Sequence, residues 1–392
     1  MDVLAFPWSG EHETLKLENA VGRRLAHPVS SSEDSPPFHR STRDGYALSS
    51  AECYGASPSN PAFLTVCGEV PMGTLPSFSI GNGECALIHT GGILPEGSDA
   101  VVMTENAERS GKWVEIRSAV QSGENIVFKG EEFSANTPLL KQGTLVDFRS
   151  AGLLASAGVS YVDVFRIKIG IISTGDEIVP CDTQELLPGQ FRDVNAHLLF
   201  SLLEREGFFP VYYGIAGDSQ EALSRMTNRA LEESSVVLLS GGSSVSTRDY
   251  CSTLLESLPE PGLLIRGILM SPGKPTLIAG MKRERKLVMG LPGHPFSCFL
   301  AAYTILLPLL NAMCTGNTSG PWKSLLLPSA ESIFGHSGIE EFLPCVIENG
   351  RAVPLPVKSS FAKALSRADG LFRLSASRET VRPQEEVEVW LW

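Results

Sequence analysis

Closely spaced cysteines, membrane-length apolar runs and an excess of positive charge are all missing from this 392-residue chain. Its eight cysteines (Cys53, Cys67, Cys85, Cys181, Cys251, Cys298, Cys314 and Cys345) are scattered, no two closer than fourteen positions. That spacing excludes a zinc ribbon, an iron–sulfur cradle and a redox CxxC, and leaves small core thiols as the reading. The longest apolar stretch, Phe296 to Leu310, is broken by Ser297, Thr304 and Pro308. It is too short to span a bilayer and reads as a buried helix, so no membrane partner is expected. Met1 to Glu13 mixes Asp2, Pro7 and Glu11 with apolar residues and has no basic n-region, so a cytoplasmic location is expected. A net charge of −12 argues against a broad nucleic-acid-binding face. A small anion is still admissible, because backbone amides and one or two lysines can hold a phosphate locally.

What is present falls into three textures, as expected of a chain too long for one core. From Leu15 to about Phe165, short β-branched runs alternate with Gly and Pro, the pattern of small β-domains. Phe63–Val66, Cys85–His89, Ala100–Met103 and Trp113–Ile116 are examples. From Ile167 to about Met313 the pattern becomes strand, loop, helix. Ile169–Ser173, Val211–Ile215 and Val236–Ser240 read as buried strands. A helix opens near Asp193–Asn195 and stops at Gly207, Ser219 can cap a second, and Thr247–Leu258 makes a third. Such alternation predicts a parallel sheet covered by helices, with ligands at the C-terminal ends of its strands. Beyond Asn317 short strands return, suggesting a terminal β-domain.

Two strand ends in the middle region carry the chemistry. Ser173-Thr174-Gly175-Asp176-Glu177 follows one apolar strand, and Ser240-Gly241-Gly242-Ser243-Ser244 follows another. Glycines let backbone amides approach an anion, and hydroxyls add donors. One such loop is usually a plain turn; two in one sheet, each followed by carboxylates, favour a phosphate cradle. Lys274, in Ser271-Pro272-Gly273-Lys274-Pro275, is either a fixed cation between two prolines or a solvated turn lysine. Gly290-Leu291-Pro292-Gly293-His294-Pro295 is a stiff turn before the apolar helix, whose N-terminus is a candidate anion site. His294 is a possible contact there, although a lone loop histidine usually is not one. In the N-terminal third, Asp44 of Arg43-Asp44-Gly45-Tyr46 reads locally as a turn carboxylate.

In this order these segments resemble the molybdopterin molybdenumtransferase family, which includes MoeA and the E domain of gephyrin. The resemblance rests on Asp44-Gly45-Tyr46-Ala47, Thr90-Gly91-Gly92 with Leu94-Pro95-Glu96-Gly97, and Gly123-Glu124-Asn125 with Lys129-Gly130-Glu131. It continues through Ser173 to Glu177, Asp193-Val194-Asn195, Ser240 through Asp249-Tyr250, Pro272-Gly273-Lys274-Pro275 and Gly290-Leu291-Pro292-Gly293.

The resemblance implies a multidomain α/β plus β protein. An elongated domain would comprise 1–27 and 132–166, an inserted β-domain 28–131, a parallel-sheet α/β molybdopterin-binding domain 167–316 and a C-terminal β-barrel 317–392. It further implies a homodimer, contact with the molybdopterin adenylyltransferase, and a reaction of adenylyl-molybdopterin with molybdate that gives molybdenum-molybdopterin and AMP. The cofactor would be Mg²⁺. Magnesium prefers carboxylates and water, so Asp44, Glu177, Asp218 and Asp249 are the expected metal-side residues. Asp44, Glu177 and Lys274 are the expected catalytic set. Thr90, Ser173, Thr174, Gly175, Ser240, Gly241, Gly242, Ser244, Pro292 and Gly293 are the expected substrate contacts. The chain departs from the family pattern where a lysine is usual at Ser271, an asparagine at His294, an arginine at Pro344 and an apolar residue at Arg43.

Overall fold

The computed structural model describes residues 4–8, 11–241, 245–356 and 362–392, and for 245–249 the backbone alone. The chain forms two compact units. One comprises Met1–His27, Gln142–Phe148 and Tyr161–Trp392, the other Pro28–Lys141 and Arg149–Ser160.

The second unit is built on a six-stranded sheet in the order Ala100–Met103, Gly45–Leu48, Glu84–Ile88, Ala62–Val70, Trp113–Ile116, Ala107–Ser110. All four strands read from the sequence in this region are there. Tyr46, Leu48, Leu64, Cys85, Val102, Val114 and Ile116 fill one core, and Ala47, Val70, Ala86, Ile88 and Val101 the other. Gly45 is required where it stands, because a Cβ there would run into the Val102 carbonyl. Gly45 pairs with Ile88, which brings the ends of those two strands, and with them Asp44 and Thr90, to one edge of the sheet.

In the first unit the α/β part carries strands β1 (Lys168–Thr174), β2 (Phe209–Ala216), β3 (Val236–Gly241), β4 (Pro261–Arg266), β5 (Leu277–Met281) and β6 (Lys286–Leu291). The helices between them are α1 (Asn195–Arg205), α2 (Gln220–Glu233) and α3 (Val245–Glu256). The sheet order is β2-β1-β3-β6-β5-β4. The first four strands are parallel, as expected; β5 and β4 extend the sheet antiparallel. A short hairpin turn joins β5 to β6, and such a turn can connect only antiparallel neighbours.

The strands are nearly all apolar because both faces are covered. On one face Ile169, Ile171, Val236, Leu238, Leu287 and Met289 pack with Leu199 and Leu203 of α1 and with Phe296, Leu300 and Tyr303. On the other, Ile172, Val237, Leu239 and Val288 pack with Leu223, Ala230, Leu254 and Leu255. Each such aliphatic side chain contributes about 1.5–3 kcal/mol of burial. The helix ends follow local chemistry. The Ala196 amide donates to Asp193 Oδ1 at 3.1 Å at the start of α1, and Gly207, with φ of 82°, ends it. Ser219 caps α2 by accepting from the Ala222 amide at 3.2 Å. The third helix begins two residues before the expected Thr247 and ends two before Leu258.

The apolar helix runs further than its sequence suggested, from Pro295 to Thr315, and stops at Gly316 with φ of 76°. By length and composition it could cross a bilayer, but 78% of its apolar window is buried inside the protein. It is a core helix, as read. Its middle turn, Ala302–Leu306, is π-helical. There Tyr303 stacks on Phe299, while Trp322 stacks on Trp390 with ring centroids 4.0 Å apart. Trp322, Trp390 and Trp392 belong to the terminal β-domain. Its strand path runs Met270–Ser271, Glu340–Glu348, Gly370–Leu374, Glu386–Leu391, Lys323–Pro328.

Candidate functional site

The chain leaves β1 through α1 to β2 on one side, then crosses through α2 to β3 on the other. The crevice between β1 and β3 is therefore the point where the order reverses, the usual ligand position in such sheets. Register locks the two strand ends together, with Ser173 opposite Ser240 and Thr174 opposite Gly241. Gly241 holds φ of 141°, and a Cβ there would strike the Thr174 carbonyl. No other residue fits that position without strain.

Ser173, Glu177, Ser240, Gly241 and Gly293 line one cavity of about 620 Å³, so the structure brings five of the expected residues together. Gly175 holds φ of 136°, with the Glu177 carboxylate folded over it: a Cβ at Gly175 would lie 2.7 Å from Glu177 Oε2. Pro292 lines a smaller cavity of about 170 Å³ with Gly293, His294, Pro275 and Ser297. Thr174 Oγ1 is buried with no hydrogen-bond partner among the described residues. Ser240 Oγ lies 3.7 Å from the Sγ of Cys298, whose thiol burial pushes up to about 12. That sulfur is a packing atom and not a nucleophile.

Three residues of this wall were not expected from the sequence as site residues. Asp193 accepts from the Tyr212 hydroxyl at 2.7 Å as well as from the helix. Burial first, and then this carboxylate, hold the Tyr212 phenol well above its ordinary range. Asn195 lies two positions on, 7% exposed, and donates from Nδ2 to the Gly293 carbonyl at 2.8 Å. Arg192 is the only lysine or arginine among the described residues lining the larger cavity, and its guanidinium rests on the Thr183 carbonyl at 2.7 Å. The Asp193-Val194-Asn195 triplet, an expected helix start and one of the segments that carry the family resemblance, is the available signal.

Lys274 lines neither cavity and is exposed. Its backbone is fixed, with its carbonyl accepting from the Ile268 amide at 2.9 Å and the Thr276 hydroxyl donating to Gly273 O at 2.7 Å. Gly242 and Ser244 lie outside the described residues, as does the side chain of Asp249, a residue of α3. Asp218 follows β2. Its amide donates to Asp176 Oδ1 at 3.0 Å, and its own Oδ1 is buried without a partner among the described residues.

In the second unit, the Thr90 amide donates to Asp44 Oδ1 at 2.8 Å. That bond is the main reason the Asp44 carboxyl is held below the usual aspartate range. His89 Nδ1 stands 3.6 Å from the same oxygen, and its Nε2 lies 3.3 Å from Glu69 Oε1.

Among the described residues, no three His, Cys, Asp or Glu side chains cluster as a ready cation cage. Magnesium does not need one, because it keeps several waters and takes one or two carboxylates. The orphaned Asp218 oxygen, on a residue whose amide holds the Asp176 carboxylate, is a hard donor that fits a cation of that kind.

Comparison with known proteins agrees along the whole chain. Residues 2–158 match the model of the MoeA N-terminal region (domain I and II). Residues 170–312 match the model described as a probable molybdopterin binding domain, and 327–392 that of the MoeA C-terminal region (domain IV). The molybdopterin molybdenumtransferase of Nostoc sp. is 33% identical, covering 80% of this chain and 72% of that protein. The Bacillus subtilis enzyme of the same name is 30% identical over 81% and 74%. The crystal structure of the molybdopterin biosynthesis MoeA protein of Pyrococcus horikoshii superposes with a TM-score of 0.80 at 35% identity, over 100% of this chain and 96% of that one. With the strand-end crevice, the flanking β-domains and these relatives in agreement, the chain belongs to the molybdopterin molybdenumtransferase family.

Proposed function

We propose that this protein acts in molybdenum cofactor biosynthesis as a transferase, joining adenylyl-molybdopterin and molybdate to give molybdenum-molybdopterin and AMP. The observation that carries the reading is the register of Ser173 against Ser240, which sets two hydroxyl-bearing strand ends side by side in one cavity. Fixed donors of this kind hold a phosphate without reorganising as charge shifts between its oxygens. Ser173, Ser240 and the Gly241 backbone would orient the phosphate. The carboxylates of Glu177 and Asp218 would hold a magnesium ion, which when bound offsets the charge of the phosphoanhydride. Asp44 and Thr90 are a further carboxylate and hydroxyl for the same chemistry. A homodimer, a cytoplasmic location and contact with the molybdopterin adenylyltransferase belong to the same proposal; sedimentation equilibrium tests the first.

The decisive experiment incubates the purified protein with adenylyl-molybdopterin, magnesium and molybdate, and follows AMP by chromatography. Molybdate-dependent AMP release is expected. Absence of release, or release indifferent to molybdate, overturns the proposal. One observation favours a second reading, binding without turnover: Lys274, the expected catalytic cation, lines neither cavity. The same assay decides between them.

A further inference from the structure

Asn195 sits in the wall of the larger cavity with one half of its amide used and the other not. Its Nδ2 donates to the carbonyl of Gly293 at 2.8 Å. A carbonyl can only accept, so this bond fixes which amide atom is the nitrogen and leaves Oδ1 as the remaining acceptor. That oxygen is withdrawn from water and has no partner among the described residues. A buried acceptor left this way is costly, and a donor that completes it gains correspondingly. The neighbouring Asp193 cannot supply one. Asp193 is itself an acceptor, already taking the Ala196 amide and the Tyr212 hydroxyl. The same cavity has an apolar side, where Phe191 is 63% exposed and Leu186 40% exposed, with Ile178 and Val194 beside them. An exposed aromatic ring at the rim of a cavity is a platform for a flat partner.

We infer that Asn195 Oδ1 reads the amino-bearing edge of a planar nitrogen heterocycle whose face rests on Phe191. This rests on the proposed reaction, whose substrate carries two such rings, a pterin and an adenine, each with an exocyclic amine. Asn195 is then a specificity residue and the Ser173–Ser240 strand ends the phosphate side of the same site. An amine meets the acceptor with an N–H. An analogue bearing a carbonyl in its place meets it oxygen to oxygen and is rejected.

The test uses two pairs of probes on the full chain. Pterin is compared with lumazine, which replaces the 2-amino group by a carbonyl, and AMP with IMP, which does the same at position 6. Binding is followed by ring fluorescence for the first pair and by calorimetry for the second. Wild type should prefer the amino member of one pair by about tenfold or more, the usual effect of one buried hydrogen bond, and the pair that discriminates identifies the ring. Asn195→Ala should bring that ratio to about one. An unchanged far-UV circular dichroism spectrum and urea midpoint guard against a folding defect in the alanine variant. Phe191→Ala should weaken both members of the discriminating pair roughly equally, by about fivefold or more, as loss of a stacking surface does. Equal affinities within both pairs, no binding of any ring, or a preference that survives Asn195→Ala overturns the inference. AMP release with no ring preference defeats this inference alone. A ring preference without AMP release defeats the transferase reading alone.

Discussion

Asn195, at the start of α1, and Asp44, just before a strand, each present an oxygen acceptor, but Asn195 is 7% exposed while the Asp44 side chain is 66% exposed. The α/β side keeps buried polar atoms unpaired: Thr174 Oγ1, Asn195 Oδ1 and Asp218 Oδ1 have no partners among the described residues. The exposed one is tied down, with the Thr90 amide on Asp44 and His89 between Asp44 and Glu69. In water a charged group gains little from a single partner and must be held in place by several. Inside the protein an unpaired polar atom is expensive, so it persists where a ligand completes it. The first site is built for affinity and the second for geometry.

The harshest way to break the comparison is to disturb the backbone that frames the buried side. Gly241→Val puts a branched side chain at φ of 141° against the Thr174 carbonyl. A loss of about 3 kcal/mol or more in urea unfolding is expected, from strain and overpacking together. A loss below about 1 kcal/mol would mean that the strand ends are not rigidly locked.

Removing one carboxylate from each side sharpens the contrast. Glu177→Gln should raise the magnesium needed for half-maximal AMP release by about tenfold or more, since a charge-assisted contact is worth about 1.5–3 kcal/mol. Asp44→Asn should raise it less, because Asp44 is open to solvent. Equal and unchanged magnesium curves would place the ion elsewhere.

Lys274 separates the same two regimes in a cation. Its exposure limits the effect of Lys274→Ala on molybdate dependence to about 1 kcal/mol or less, falling with added salt. A salt-independent loss above about 2 kcal/mol would show that the lysine contacts the anion directly.

The smallest effect concerns acid. Because the Thr90 amide depresses the Asp44 pKa, the stability this carboxylate contributes is complete above its unfolded pKa. It is lost as pH falls through the folded one. The stability difference between wild type and Asp44→Asn should therefore be constant near neutrality and shrink only below the ordinary aspartate range. Urea midpoints measured at pH 6 and in stronger acid check the sign.

Much of the α/β architecture could be read from the sequence because its strands are buried on both faces and therefore nearly all apolar. The serine-bearing strand ends were legible because two runs of glycine and hydroxyl residues follow such strands in one sheet, where a single run is usually a plain turn. The antiparallel β5 was harder, because its direction is set by the hairpin turn into β6 and not by side-chain pattern. Asn195 escaped because its partner, Gly293, is 98 positions away, and locally it reads as the start of a helix. Lys274 illustrates the converse. Its two flanking prolines stiffen the backbone as expected, but where a side chain points relative to a cavity depends on packing that no local motif records.

The Pro295–Thr315 helix leaves a mark on how the protein must be made. Tyr303 donates to the Leu391 carbonyl at 3.2 Å across 88 positions of chain, and Phe299 and Tyr303 both meet Trp392. The aromatic face of this helix therefore leaves the ribosome well before the strand that covers it. Until Glu386–Leu391 arrives, a long greasy segment waits in the open, the kind of surface that recruits chaperones or drives nascent chains to clump. Residues at the far end of the sequence thus govern the yield of a crevice they never touch.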